Sequence, residues 1–114
     1  MPWSTSTVRG LAIRNFGDDG IEIDYNQANV RVWRNRVSNT RMGASVQPIR
    51  GGPAYIFRNE MFNQEDKPLK VHNDPVGLVV AHNTSVKLGN AMHDTSSSIW
   101  RNAIFRNNLF LGIE

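Results

Sequence analysis

The chain has 114 residues, which is enough for one domain with a modest hydrophobic core. It contains no cysteine, so a disulfide framework and a cysteine-ligated zinc site are excluded. A formal net charge of +3 permits contact with an anionic polymer without choosing among nucleic acid, acidic polysaccharide and a membrane surface. The sequence lacks a signal-peptide pattern and any apolar run that would span a bilayer, so we expect one domain over residues 1–114, outside the membrane.

Short runs of alternating apolar residues recur along the whole chain. Four of them read GIEID, VRVW, AYIF and GLVV, and glycine, asparagine, aspartate or proline interrupts each one. A period of two, with many β-branched and aromatic side chains, predicts strands rather than long helices. The sequence is therefore typical of an almost entirely β protein.

The runs also repeat at a fixed distance. The segments VRVWRNRV, YIFRNEMF, LVVAHNTSV and AIFRNNLF superimpose on asparagines, and the same interval separates each asparagine from the next. A weaker copy, LAIRNF, lies upstream of the first at a shorter interval. A repeat of roughly two dozen residues without a helix predicts a β-solenoid, whose coils stack with parallel strands about 4.8 Å apart. The alternative is an antiparallel sandwich in which the asparagines are incidental.

Parallel stacking aligns identical sequence columns, so the repeated asparagines should form a hydrogen-bonded ladder at one turn. The predicted members are Asn15, Asn35, Asn59, Asn83 and Asn107. Each ladder bond contributes about 1 kcal/mol to stability. Asn83 also opens the glycosylation sequon NTS, but a place in the ladder turns its side chain inward and argues against modification.

The segment FGDDGIEID, the recurring RN and HNT turns and the RNNLF segment make the chain similar to the pectate-lyase-like superfamily over nearly its whole length. The resemblance implies an all-β, right-handed parallel β-helix and an extracellular or cell-envelope location, and the repeats of this chain amount to about four to five coils. Members are mostly polysaccharide lyases, hydrolases and epimerases, often acting on uronate polymers, although non-catalytic adhesins and spike proteins share the architecture. Members usually have more coils and capped ends. The chain is therefore expected to be a fragment of a longer β-helix or to cover its ends as a homo-oligomer.

One strand after each turn offers a candidate site. The segments GIEIDY, GASVQP and PLKVHN align as successive copies, and alternation directs their apolar residues inward. The inward residues are Ile21, Ile23, Ala44, Val46, Leu69 and Val71. The outward residues form two columns, namely Glu22, Ser45 and Lys70, and then Asp24, Gln47 and His72.

These residue types suit chemistry on polysaccharides. A lyase needs a base, for which Lys70 or His72 is a candidate, and a positive charge to neutralise the enolate. Lys70 supplies that charge, or calcium does. A hydrolase instead needs two carboxylates about 5 to 9.5 Å apart. The catalytic candidates are Lys70, His72, Asp24 and Glu22, the substrate-binding candidates are Gln47, Ser45 and Arg50, and the calcium candidates are Asp18, Asp19 and Asp24.

Plainer interpretations stand beside these. Outward charged residues are solvated in most proteins, and the DDG segment is ordinary turn chemistry. The basic residues that precede the ladder, Arg34, Arg58, His82 and Arg106, either bind an acidic glycan or cover apolar surface with their stems. Nucleic acid is not expected as a partner, because no recognised binding motif is present.

The resulting functional prediction is a polysaccharide-active domain, lyase-like, that acts on or binds an acidic, uronate-type glycan. A glycoside hydrolase is the less favoured form of enzyme. The alternatives are a non-catalytic β-helical module for glycan binding or structural display, and a truncated piece of a larger carbohydrate-active enzyme.

Overall fold

The computed structural model describes residues 6–25, 29–50, 52–93 and 98–114. These residues form eleven strands, and no helix occurs among them. The strands are β1 Ser6–Arg9, β2 Ala12–Glu22, β3 Val30–Trp33, β4 Arg36–Val46, β5 Ala54–Phe57, β6 Glu60–Phe62, β7 Lys67–Val71, β8 Val76–Ala81, β9 Thr84–Leu88, β10 Arg101–Arg106 and β11 Leu109–Ile113. The predicted all-β composition is confirmed.

The strands stack in parallel as a solenoid of about four turns. The first sheet contains β1, β3, β5, β8 and β10 in that order. The second sheet contains β2, β4, β6, β9 and β11, and β2 and β4 are long enough to continue round a corner. Beyond that corner their ends form, with β7, what we call the third sheet. The parallel pairing confirms the solenoid, and the antiparallel sandwich is wrong.

The core is a continuous column of aliphatic side chains inside the coils. All six residues that alternation directed inward on the third sheet are buried, and residues of the first sheet such as Val32, Ile56 and Val80 meet them. The corner between the second and third sheets requires glycine at position 20. A Cβ there would overlap a Val37 methyl group and lie 2.8 Å from the Gly43 carbonyl oxygen.

The buried asparagine ladder lies between the first and second sheets. Asn35 donates from its backbone N and from Nδ2 to Asn59 Oδ1, both at 3.1 Å. Asn59 donates in the same way to Asn83 Oδ1, both at 3.0 Å. The Nδ2 atoms of these two asparagines also donate to the carbonyl oxygens of Val8 and Val32 at 3.0 Å. The ladder therefore fixes the register of successive coils while leaving few buried polar groups unpaired.

The last member of the buried ladder is Asn108, so the prediction of Asn107 is wrong. Asn83 donates from N and Nδ2 to Asn108 Oδ1 at 3.0 Å. The final coil is one residue longer than the coil before it, and the pairing of β10 with β8 shows the same shift relative to the pairing of β8 with β5. Asn107 instead takes the left-handed backbone conformation, with φ at 54°.

The prediction of Asn15 in the buried ladder is also wrong. The position below Asn35 is Leu11, whose backbone N donates to Asn35 Oδ1 at 3.1 Å. Asn15 begins a second ladder, in which Asn39 donates to it at 3.1 Å and Asn63 donates to Asn39 at 2.8 Å. This second ladder is exposed, and all three members have positive φ angles, which asparagine tolerates better than most residues. The second ladder therefore stabilises a bend of the backbone and is not part of the core.

Apolar side chains of the last coil, including Leu109, Leu111 and Ile113, are exposed. Association between copies through such residues, as predicted from the sequence, stays a prediction. In the part of the chain that the structure describes, no helix is long and apolar enough to cross a membrane.

Candidate functional site

The third sheet brings the outward columns together as the sequence alignment predicted. Glu22 is paired in register with Ser45, and Ser45 with Lys70. The strand β2 contains one extra residue between Phe16 and Asp19 relative to β4. After this irregularity, β2 continues into the third sheet, where Asp19 and Glu22 both lie at the site.

The centre of the site is an ion pair between Lys70 and Asp19. Lys70 Nζ lies 3.1 Å from Asp19 Oδ2. The Asp19 side chain is 1% exposed and that of Lys70 is 20% exposed, so the carboxylate is buried and the ammonium covers it from the solvent side. Burial acts to lower the pKa of Lys70, but the hydrogen bond to Asp19 and the charges of Asp19, Asp24 and Asp18 together raise it. Lys70 is therefore an ammonium at neutral pH.

The same buried aspartate raises the pKa of Glu22. Asp19 Oδ1 is buried and has no hydrogen-bond partner among the described residues. The exposed Glu22 carboxyl supplies a donor only when protonated, and this hydrogen bond to Asp19 is the main cause of its raised pKa. Desolvation and the negative charges of Asp24, Asp19 and Asp18 raise the pKa of Glu22 further.

The hydroxyl of Ser45 holds the neighbouring aspartate. Ser45 Oγ donates to Asp24 Oδ1 at 2.7 Å. The sequence placed Ser45 on the outward, substrate-facing column, but the residue is 0% exposed. The larger residues paired on either side, Glu22 and Lys70, account for this burial. Ser45 positions Asp24 and does not itself reach the solvent.

The other predicted residues lie around this cluster. Gln47 and His72 are half-buried at the ends of β4 and β7, and the His72 backbone N donates to the Val46 carbonyl oxygen at 3.3 Å. Arg50 is exposed in the loop after β4. Among the described residues, no group of three or more His, Cys, Asp or Glu side chains is arranged to hold a metal ion. The structure thus does not gather Asp18, Asp19 and Asp24 as a ligand set.

Sequence reasoning missed an aromatic row on the outer face of the first sheet. The rings of Trp33 and Phe57 stack with centroids 5.5 Å apart and planes 7° from parallel. The two residues are in register on β3 and β5, so they are one full repeat apart in the sequence. The repeat that identified the asparagines therefore contained the signal for this row as well.

Protein-family models, curated proteins and solved structures contain no match to this chain. The assignment to the pectate-lyase-like superfamily that the sequence predicts is therefore not supported by any matching family. What the chain does has to be inferred from the chemistry of its own surfaces.

Proposed function

We propose that the protein is a polysaccharide-active β-helix domain that binds a glycan chain along its third sheet and cleaves it by acid–base chemistry. The observation that carries the proposal is the arrangement of the exposed Glu22, whose pKa is raised chiefly by its hydrogen bond to Asp19, beside the buried ion pair of Asp19 with Lys70. Carboxyl groups whose environments favour different protonation states are what glycosidic cleavage requires. The parallel stacking of the coils extends this polar face along the solenoid axis, as a polymer substrate needs.

Glu22 is the proton donor in this proposal. It is exposed, and its raised pKa keeps a larger fraction of it protonated toward neutral pH than an ordinary glutamate has. It delivers its proton to the glycosidic oxygen as the carbon–oxygen bond breaks. Asp24, which Ser45 holds by its hydrogen bond, is the second carboxylate and activates the water that adds to the sugar carbon.

The charges of the site favour hydrolysis over the lyase reaction predicted from the sequence. Lys70 is a poor base because the raised pKa keeps it protonated, although it remains suited to neutralising a developing negative charge. The negative charges of Asp18, Asp19 and Asp24 outnumber the single positive charge of Lys70, so the cluster repels the carboxylate of a uronate sugar. A neutral glycan meets no such repulsion. Elimination with His72 as the base is the competing reaction.

The test measures two products from a panel of neutral and uronate polysaccharides. New reducing ends report every cleavage, and ultraviolet absorbance of an unsaturated sugar reports elimination alone. We expect reducing ends without the unsaturated product, and a loss of at least about 100-fold in Glu22→Gln. Glu60→Gln is the matched control, because Glu60 is an exposed glutamate that pairs with Arg36 on the second sheet, at 2.8 Å.

Three outcomes would contradict the proposal. An unsaturated product would assign a lyase, and wild-type turnover in Glu22→Gln would remove the proton donor. Binding of polysaccharides without cleavage of any would assign the non-catalytic glycan-binding module instead. The loss of activity in Glu22→Gln supports the proposal only if Glu60→Gln retains the wild-type rate.

A further inference from the structure

The first sheet carries arginines whose guanidinium groups lie against aromatic rings. The guanidinium carbons of Arg9 and Arg34 lie 5.4 Å and 5.1 Å from the centroid of the Trp33 ring. That of Arg31 lies 5.5 Å from the Tyr55 ring. Contact with a ring face restrains the planar fork of an arginine, so less freedom is lost when it binds an anion.

These arginines lack carboxylate partners among the residues that the structure describes. The five strands of the first sheet contain no aspartate or glutamate. The nearby Glu60 forms its ion pair with Arg36, and neither remaining ion pair of the described residues includes an arginine. The positive charge of Arg9, Arg31 and Arg34 is therefore available to a ligand.

Two open clefts run along this set of arginines. One has a volume of about 410 Å³ and is lined by Arg9, Gly10, Trp33 and Arg34. The other has a volume of about 220 Å³ and is lined by Arg34, Asn35, Arg36, Arg58 and Glu60, of which Glu60 is paired with Arg36. Arg34 belongs to both clefts, so they follow one another along the solenoid axis. Because Arg34 and Arg58 occupy the same position in successive coils, their backbones are about 4.8 Å apart.

We propose that this arginine–aromatic face binds an acidic polysaccharide that lies parallel to the solenoid axis. Its anionic groups, carboxylate or sulfate, would be held by the arginine forks of successive coils through charge-assisted hydrogen bonds. Because Arg34 and Arg58 lie one coil apart, they can contact neighbouring charges of a polymer that runs along the solenoid axis. The face is distinct from the third sheet, and the proposal does not rest on the proposed cleavage reaction.

The arrangement of the rings argues against single-stranded nucleic acid as the ligand. Proteins that bind single strands stack the bases on free aromatic faces. Here the Trp33 ring is already stacked on Phe57 and approached by two guanidinium groups. The rings orient the arginines and leave a base little ring face to stack on, whereas an acidic glycan needs only the arginines.

The test measures binding of polygalacturonate and of a sulfated glycosaminoglycan by calorimetry. Neutral dextran and a single-stranded DNA of matched charge are the comparison polymers. We expect both acidic glycans to bind more tightly than dextran does. Affinity should fall as salt rises from 0.1 M toward 1 M, over which the Debye length shrinks from about 10 Å to about 3 Å. Tighter binding of the DNA than of either glycan would overturn the proposal.

Two double variants separate this face from net charge. Arg9→Gln with Arg34→Gln should weaken glycan binding by about 100-fold, since each of the two lost charge-assisted bonds contributes about a factor of ten. Arg14→Gln with Arg41→Gln removes the same charge from exposed positions on β2 and β4 and should lose much less. Equal losses in the two pairs would mean that only net charge matters.

A charge-conserving variant tests whether the planar guanidinium group is needed for binding. Arg9→Lys with Arg34→Lys keeps both charges but lacks the planar fork, and we expect it to bind with intermediate affinity. Full wild-type affinity in this variant would show that glycan binding does not require the planar guanidinium group. The Arg9→Gln, Arg34→Gln protein should keep the wild-type rate in the cleavage assay, so failure of one proposal is distinguishable from failure of the other.

Discussion

The outer faces of the first and third sheets use charge in opposite ways. On the first sheet, arginines lie on aromatic rings without a carboxylate partner among the described residues. On the third sheet, one lysine lies among aspartates and a glutamate and pairs with a buried carboxylate. A net charge of only +3 conceals this separation. Overall charge is therefore a poor guide to what a solenoid binds, because parallel stacking collects each column on one face.

Burial explains the difference between the two faces. The Asp19 side chain is almost fully buried, so its ion pair with Lys70 is held by the fold. The first-sheet arginines that contact rings stand at the protein surface, where a single charge changes stability little. The third sheet thus couples its charges to folding, and the first sheet leaves its charges free for ligands.

The largest expected effect comes from removing the ammonium of the third sheet. Lys70→Met keeps the side-chain length but leaves the buried Asp19 without its cation, and we expect the free energy of unfolding to fall by about 3 kcal/mol. Arg9→Met on the first sheet loses only a surface contact with Trp33 and should cost less than about 1 kcal/mol. Urea unfolding with unchanged m-values measures both. Equal costs would abolish the contrast between the faces.

A smaller effect is expected at Ser45, whose hydroxyl is buried against Asp24. Ser45→Ala leaves Asp24 Oδ1 without this donor and should lower the free energy of unfolding by about 1 kcal/mol. Ser38→Ala is the control, since Ser38 lies on the second sheet in the same long strand and is only half-buried. Thermal unfolding of the two variants side by side gives the comparison, and a cost at Ser38 as large as at Ser45 would contradict it.

The third effect depends on pH. Because folding raises the pKa of Glu22 above its ordinary value of 4.5, the stabilisation from its proton is complete below pH 4.5 and is lost as the pH rises through the folded-state pKa. Glu22→Gln, which always presents a donor to Asp19, should therefore have the higher Tm at neutral pH, an advantage that disappears in acid. Calorimetric scans from pH 4 to pH 8 test this. A Tm difference that does not vary with pH would contradict the raised pKa of Glu22.

Much of the fold follows from the repeat in the sequence. A period of two within strands and a constant interval between coils predicted the parallel solenoid, the inward residues of the third sheet and the register of Glu22, Ser45 and Lys70. These features depend on patterns that every coil shares. Parallel pairing turns such a pattern directly into neighbours in space.

Local changes in coil length were not predicted from the sequence. The final coil has one more residue, which moved the ladder from Asn107 to Asn108 although both residues carry the same side chain. The upstream copy was aligned on Asn15 at a shortened interval, whereas Asn15, Asn39 and Asn63 repeat at the full interval and form their own ladder. Identity of residue type cannot distinguish these registers. The backbone pairing on either side decides between them.

The sequence predicted which residues form the site but not how deeply each side chain is buried. Asp19 and Lys70 were both candidates, yet the sequence does not reveal that the carboxylate is buried beneath the ammonium. Nor does it reveal that Ser45 is covered. Burial on a solenoid face depends on the side chains of the coils above and below, and these lie a full coil away in the chain.

The most direct test of the third-sheet site is a titration of the Glu22 carboxyl carbon by NMR, in the wild type and in Asp19→Asn. The contact with Asp19 predicts a wild-type Glu22 pKa above 4.5 and a lower Glu22 pKa in Asp19→Asn, because the variant loses both the hydrogen-bond partner and the negative charge of Asp19. A wild-type Glu22 that titrates at or below 4.5, or one that Asp19→Asn does not change, would contradict the account.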